Sequence, residues 1–407
     1  MSKPRILMIA YACDPKGVGE HWLGWGWAEQ AAQHYEVELL TRPHGGRPLL
    51  DCAAGLAIKV HTLAVPRWWW KATQPLGSLG SWLRVFCWQK QALRLARRRH
   101  REAPFALVHQ TTFHSFRAPF LAASLGIPSV WGPIAGGEAV PGGFGRFLGR
   151  QKFEERCRNL ANQLFLLLPS VRKSLCRTTV IIASNRTTLN FLPTSTRKNA
   201  VVIPANAIVN LSLQPPAREG HAGESFNILY AGNCVARRGI SLALEALARL
   251  ENQNYRFYVA GSGSALEEWR SQAVRLGLGE RVSFTGHISR TALDALYGKA
   301  DLFLFPSLRD SGGSGLLEAM EKRVPVVCLD WGGPAEMVME GTGVKVPVGI
   351  PEETIQRLAD ALASLRDDPH RRQELATAAQ ARLAQRFSWE EKRRQLVEIY
   401  SRILRKS

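Results

Sequence analysis

Asp310 and Glu318 lie eight residues apart in the run Phe305-Pro306-Ser307-Leu308-Arg309-Asp310-Ser311-Gly312-Gly313-Ser314-Gly315-Leu316-Leu317-Glu318-Ala319-Met320. Between them lies a glycine-rich turn that leads from an apolar strand into a helix. A glycine turn that opens a helix bares backbone N–H groups and the positive dipole end, which together suit an anion. Carboxylates at either end can accept hydrogen bonds from hydroxyls. Phosphate held by Gly312, Gly313, Ser314 and Gly315, with sugar or ribose hydroxyls held by Asp310 and Glu318, describes a nucleotide-sugar pocket.

A second cationic segment could serve the same ligand. Gly232-Asn233-Cys234-Val235-Ala236-Arg237-Arg238-Gly239 follows a strand and precedes a helix. Arginines at a helix start oppose its dipole, and their guanidinium groups bind phosphate through paired hydrogen bonds. Gly261-Ser262-Gly263 forms another strand-to-helix turn.

These runs resemble the retaining GT-B glycosyltransferases of family GT4, whose E-x7-E signature typically reads E-G-F-G-L-x-x-L-E-A-M. Asp310 stands at its first Glu and Glu318 at its second. The 232–239 segment is similar to the family's G-R-L-x-x-x-K-G, with Arg238 at the Lys position and Asn233 at the Arg position; Arg237 is placed to compensate. The resemblance implies that these cations clamp the donor diphosphate and that Gly263, Gly286, His287 and Ile288 lie near the donor. Gly332-Gly333-Pro334-Ala335-Glu336 resembles the family's G-G-x-x-E and is expected to shape the domain.

In the first half, the loop Gly17-Val18-Gly19 before Glu20 lets phosphates or an acceptor approach the backbone, because no Cβ intervenes at its glycines. His109 ends a strand, and His114 follows five residues on. Together with Asp310 and Arg238, these histidines are the candidate catalytic residues. Trp131 to Glu138 occupies the place where many relatives carry Thr-x-His, so Glu138 or one of the upstream histidines, His109 and His114, is expected to contact the acceptor instead. The chain has no D-x-D pair to hold a divalent metal, no G-x-S-x-G elbow and no P-loop, which argues against a metal site, a hydrolase and an NTPase. Neither metal nor cofactor is expected; the nucleotide sugar is a substrate.

Elements that position these residues recur along 407 residues. Apolar runs at 6–10, 37–40, 58–63, 106–109, 128–131, 180–183 and 201–203 read as strands, with helical stretches between. A polar stretch, Leu211 to Gly223, reads as a linker. The pattern restarts at 227–231, 256–260, 282–285, 302–305, 324–329 and 344–346. Alternating strands and helices specify a parallel, doubly wound sheet. Two such α/β domains are expected, and the resemblance implies that they form a GT-B fold: a Rossmann-like acceptor domain over 1–210, a Rossmann-like nucleotide-sugar domain over 224–386, and a helix over 387–407 returning to the first domain. The resemblance also implies that the two domains face each other across a cleft.

Seven scattered cysteines suggest neither disulfides nor zinc, and a reducing compartment fits them. The N-terminal apolar run is too short for a signal peptide, and no segment has the length of a membrane-spanning helix. A net charge of +19 attracts anionic surfaces and substrates. Trp68, Trp69, Trp70, Trp82 and Trp88 lie among Lys and Arg, and a second cluster from Phe144 to Lys173 includes Phe144, Phe147, Phe153 and Leu164 to Leu168. These clusters predict peripheral attachment to an anionic membrane, on the cytoplasmic face of the plasma membrane, with no nucleic-acid partner.

The sequence thus predicts transfer of a sugar, with retention, from a nucleotide sugar to a lipid-linked or glycan hydroxyl in polysaccharide or glycolipid assembly. The rivals are a weakly active or non-catalytic binding protein of this fold, and a basic protein that binds membrane or nucleic acid.

Overall fold

A computed structural model describes residues 3–43, 47–208, 225–251 and 254–405; the expected linker lies outside them. The chain forms two compact units. Unit 1 comprises residues 1–137, 160–207 and 389–407, and unit 2 comprises 138–159 and 208–388. Residues 138–159 thus pack with the second half of the sequence.

Unit 1 contains β1 (Arg5–Ala10), β2 (Glu36–Thr41), β3 (Ile58–Thr62), β4 (Leu107–Thr112), β5 (Ser129–Ile134), β6 (Val180–Ala183) and β7 (Ala200–Val202). They form one parallel sheet in the order β3-β2-β1-β4-β5-β6-β7. Side chains alternate across β1: Ile6, Met8 and Ala10 join one apolar core, while Leu7 and Ile9 join the core on the other face. A parallel sheet covered on both faces needs such uninterrupted apolar strands.

Unit 2 contains β8 (Phe226–Ala231), β9 (Tyr255–Ala260), β10 (Val282–Gly286), β11 (Leu302–Phe305), β12 (Val326–Leu329) and β13 (Val344–Val346). Their order is β10-β9-β8-β11-β12-β13, again all parallel. Phe144, Phe147 and Leu148 enter this unit's core. Their expected role at a membrane interface is corrected by that burial. Trp88 is likewise buried, and its indole N–H donates to the Leu63 carbonyl at 3.0 Å.

The closing helix Trp389–Leu404 packs against the helix Glu20–Ala32 in unit 1. Trp389 meets Trp22 and Trp27 edge-on, with ring centroids 5.3 and 5.7 Å apart. Gly26 makes room for it: a Cβ there would stand 2.0 Å from the Trp389 ring. Lys392, wholly buried, donates to the Pro204 carbonyl at 2.8 Å.

Farther along the helix, buried Tyr400 lies 2.6 Å from His109 Nδ1, and His109 Nε2 lies 2.7 Å from the Gly132 carbonyl. A carbonyl only accepts, so Nε2 carries the proton and Nδ1 accepts from the tyrosine hydroxyl. His109 is a fully buried, neutral core residue with both ring nitrogens occupied, which corrects its expected contact with an acceptor. Burial pulls it from the usual 6.5 to about 4, against the Gly132 hydrogen bond.

A histidine depressed in the folded state contributes stability above its unfolded value and loses it as pH falls. The native protein is therefore expected to lose stability between pH 6.5 and about 4 as His109 is driven to protonate. Urea melts across that window should show a shallower slope in His109→Gln than in the native chain. Separately, Gly26→Leu should release the closing helix, seen as a lower melting temperature and faster proteolysis after residue 388.

Candidate functional site

In open parallel sheets, ligands gather at the carboxyl ends of the strands where the strand order reverses. In unit 2 the reversal lies between β8 and β11. The segments leaving these strands are 232–239 and 306–313, the two runs singled out by their chemistry.

The two loops are laced together through backbone contacts. Arg237 O accepts from the amides of Leu308 and Arg309 at 3.0 and 3.3 Å, and the Arg237 side chain donates to the Arg309 carbonyl at 3.0 Å. Gly239 adopts φ +72°, and a Cβ there would lie 2.0 Å from the Pro306 carbonyl oxygen. Only glycine meets both demands. The loops after β9 and β10 join the same edge: Cys234 N donates to Ser262 O, and Gly261 N to Gly286 O, each at 2.9 Å.

Arg238 and Asp310 form an ion pair across the two laced loops. Asp310 Oδ1 also accepts from the amides of Gly312 and Gly313 at 2.8 and 3.0 Å, fixing the turn into the helix Ser314–Glu321. These two amides were expected to face an incoming phosphate; here the carboxylate at the start of their own turn takes them. The Asp310 carbonyl accepts from Gly333 at 2.8 Å, which ties the Gly332-Gly333 turn to the loop. Glu318 follows on the helix, with Tyr297 donating to Oε2 at 3.3 Å and Arg290 3.4 Å from Oε1.

The segment 138–159 supplies Glu155 and Arg158, for which sequence reasoning had no role, beside Glu138, for which it had one. Glu155 pairs with Arg309 at 3.0 Å and with Arg158 at 3.6 Å, while Arg158 donates to the Glu138 carbonyl at 2.7 Å. Glu138 is itself buried, and its charge acts on Arg158, Arg237 and Arg309. Burial, then the neighbouring cation Arg158, are the leading causes that hold Arg309 down at about 10, against Glu155 and Glu138. Arg237 and Arg238 are also lowered, chiefly by burial. Cations stripped of water in this way gain more from an arriving anion than solvated ones do.

The carboxyl edge of unit 2 therefore assembles Asn233, Arg237, Arg238, Gly263, Gly286, His287, Ile288, Asp310 and Gly312 to Gly315, with Glu318 one turn into the helix. Asn233 and His287 are exposed, and Ile288 is half-buried. In unit 1 the strand order reverses between β1 and β4. There Gly17, Val18 and Gly19 leave β1, and His114 follows β4. Glu20 Oε1 accepts from the His114 amide at 2.9 Å and lies 3.4 Å from its Nδ1. Burial lowers His114, with Glu20 opposing. Val18 is 85% exposed.

Two substitutions test the assembly. Gly239→Ala is expected to destabilise the chain by about 2 kcal/mol, because it combines left-handed strain with a backbone collision. Glu155→Gln removes the counter-ion of a buried arginine and is expected to cost about 3 kcal/mol. Denaturant midpoints measure both.

The family model for glycosyl transferases group 1 matches residues 215–382. The alpha-D-kanosaminyltransferase of Streptomyces kanamyceticus is 32% identical over 179 residues, covering 43% of this chain and 45% of that protein. This chain spans less than half the length of the curated relatives it matches first. Among solved structures, the sucrose-phosphate synthase of Thermosynechococcus elongatus aligns over 100% of both chains with a TM-score of 0.63 at 19% identity. HepE of Anabaena, solved with UDP, aligns over 98% of this chain and 99% of its own with a TM-score of 0.64 at 18% identity. These likenesses establish the two-domain α/β fold of the GT-B glycosyltransferases. The matched residues 215–382 contain both laced loops, so the likeness to glycosyl transferases group 1 falls on the segment that carries the candidate site.

Proposed function

We propose that this protein transfers a sugar, with retention, from a nucleotide-sugar donor to a hydroxyl of a lipid-linked or glycan acceptor. The observation that carries the reading is the Arg238–Asp310 pair at the strand-order reversal of unit 2, backed by Arg237 and Arg309. A donor diphosphate entering there would exchange partners with Asp310. Arg238 and Arg237 would take the phosphate oxygens, and the freed carboxylate would accept from sugar hydroxyls. Glu318 would hold the ribose. Charge on the departing diphosphate would be balanced by this chain's own cations, with no metal required of the protein. The HepE structure with UDP supports a nucleotide of this class.

In the reaction, the bond from the sugar's anomeric carbon to the diphosphate oxygen breaks and one to the acceptor oxygen forms on the same face. The acceptor proton passes to the leaving diphosphate. His114, placed beside Glu20 in unit 1, is the histidine that would contact the acceptor.

One observation favours a second reading, a binding protein with little turnover. Asn233 stands where a second clamp cation is expected, and Asp310 is already engaged on both oxygens. Nucleotide release from UDP-, GDP- and ADP-sugars separates the two: binding with no transfer to acceptor or water favours the second reading. If the chain is a transferase, Arg238→Gln should lower kcat by about 100-fold, the order expected for losing one preorganised charge partner. Its melting temperature should fall as well, because Asp310 loses its cation, so kcat is compared at a temperature where both proteins stay folded.

Peripheral attachment to an anionic membrane completes the reading. No helix among the described residues is long and apolar enough to cross a membrane. Trp68, Leu76 and Leu79 are exposed, as are Leu160, Leu164 and Leu167 on one helix. Trp82 stacks on Phe86 and meets Phe165 edge-on, joining the two regions. Replacing Leu160, Leu164 and Leu167 by Ser should reduce flotation with acidic vesicles; unchanged flotation would count against this surface.

A further inference from the structure

The amino ends of β5, β6 and β7 in unit 1 border a hollow of about 1160 Å³. Four cations line it, each from a different part of the unit. Arg97 comes from the helix Gly77–Glu102, Arg177 from the end of the helix Pro169–Arg177, Lys198 from just before β7, and Arg402 from the closing helix. All four are exposed, and no acidic residue lines the hollow among the described residues.

Neighbouring arginines behave differently. Arg98 pairs with Glu102, Arg99 with Glu38 and Glu102, and Arg394 with Glu391. The four cations of the hollow take part in no ion pair among the described residues. Their mutual repulsion is therefore not offset within the fold, and a multiply charged anion would relieve it. Thr179 also lines the hollow; its hydroxyl accepts from the Ser129 amide at 3.0 Å and keeps its own proton to donate.

A second, narrower cavity of about 300 Å³ shares Ser124 and Arg177 with the first. Leu93 and Phe120 give it apolar walls, and Lys173 adds another cation. A ligand with a phosphate head and an apolar portion would find a complement for each.

We infer that this hollow binds a ligand bearing clustered phosphates, at the opposite end of the sheet from the Gly17–Gly19 loop. Such phosphates could come from an acidic phospholipid headgroup or from a free oligophosphate; the site's chemistry is the same for both. This inference does not depend on the proposed transfer reaction.

The test uses the full chain and a triple variant, Arg177→Gln with Lys198→Gln and Arg402→Gln. A charge control carries Arg256→Gln, Arg275→Gln and Arg371→Gln, three exposed cations of unit 2. Calorimetry with tripolyphosphate forms one arm. Flotation with phosphatidylcholine vesicles, with or without phosphatidylglycerol, forms the other. The native chain and the charge control should bind, while the triple variant should bind about tenfold more weakly and with less dependence on salt. Selective loss in the calorimetric arm identifies a free oligophosphate, and selective loss in the vesicle arm identifies a headgroup. Absence of binding by the native chain in both arms overturns the proposal, as does an equal loss in variant and control. Circular dichroism checks folding. Should the triple variant misfold, Lys198→Gln alone should weaken binding about threefold, and an unchanged affinity would overturn the inference.

Discussion

Chemistry at the candidate site depends on the reversal of strand order in the second sheet. Parallel strands deliver every loop to one edge, and where the order reverses, the loops after β8 and β11 leave side by side. Their backbones can then exchange hydrogen bonds, as Arg237 does with Leu308 and Arg309. Gly239 permits the close approach, and the approach brings Arg238 onto Asp310. The arginines held there have lost part of their hydration. Water is thus partly removed before any ligand arrives, which lowers the cost of organising charge around a diphosphate.

Much of this was legible in the sequence for identifiable reasons. All thirteen strands among the described residues fall on the apolar runs read as strands, because a strand covered on both faces has few polar positions to disguise it. The closing helix, Trp389 to Leu404, was legible from its start signal, Ser388 with Glu391 three residues on. Glycines marked the loops, since a turn with a positive φ or a close backbone approach leaves little choice of residue.

Other features left no local trace. Glu155 and Arg158 drew no role from the sequence, because nothing near them reveals that they lie against Arg309, some 150 residues away. Phe144 and Phe147 looked interfacial beside basic residues, yet aromatic rings with cationic neighbours also occur where a short segment docks into a core. The histidines were ambiguous for the same reason: residue type and strand position could not tell that Tyr400, far along the chain, closes over His109. The helix Pro369–Arg386 did carry a readable signal that went unused. Asp368 caps it by accepting from Arg371 N at 2.8 Å, and Pro369 follows at the first helical position.

The split composition of unit 2 bears on how such proteins can be recombined. A cassette cut from 208 to 388 would carry both laced loops but would leave behind the glutamates that balance their arginines. Grafted onto the first unit of another protein, it would meet a foreign 138–159 segment and present an uncompensated guanidinium. Chimaeras between relatives should therefore exchange the two segments together, so that each cation travels with its own counter-ion.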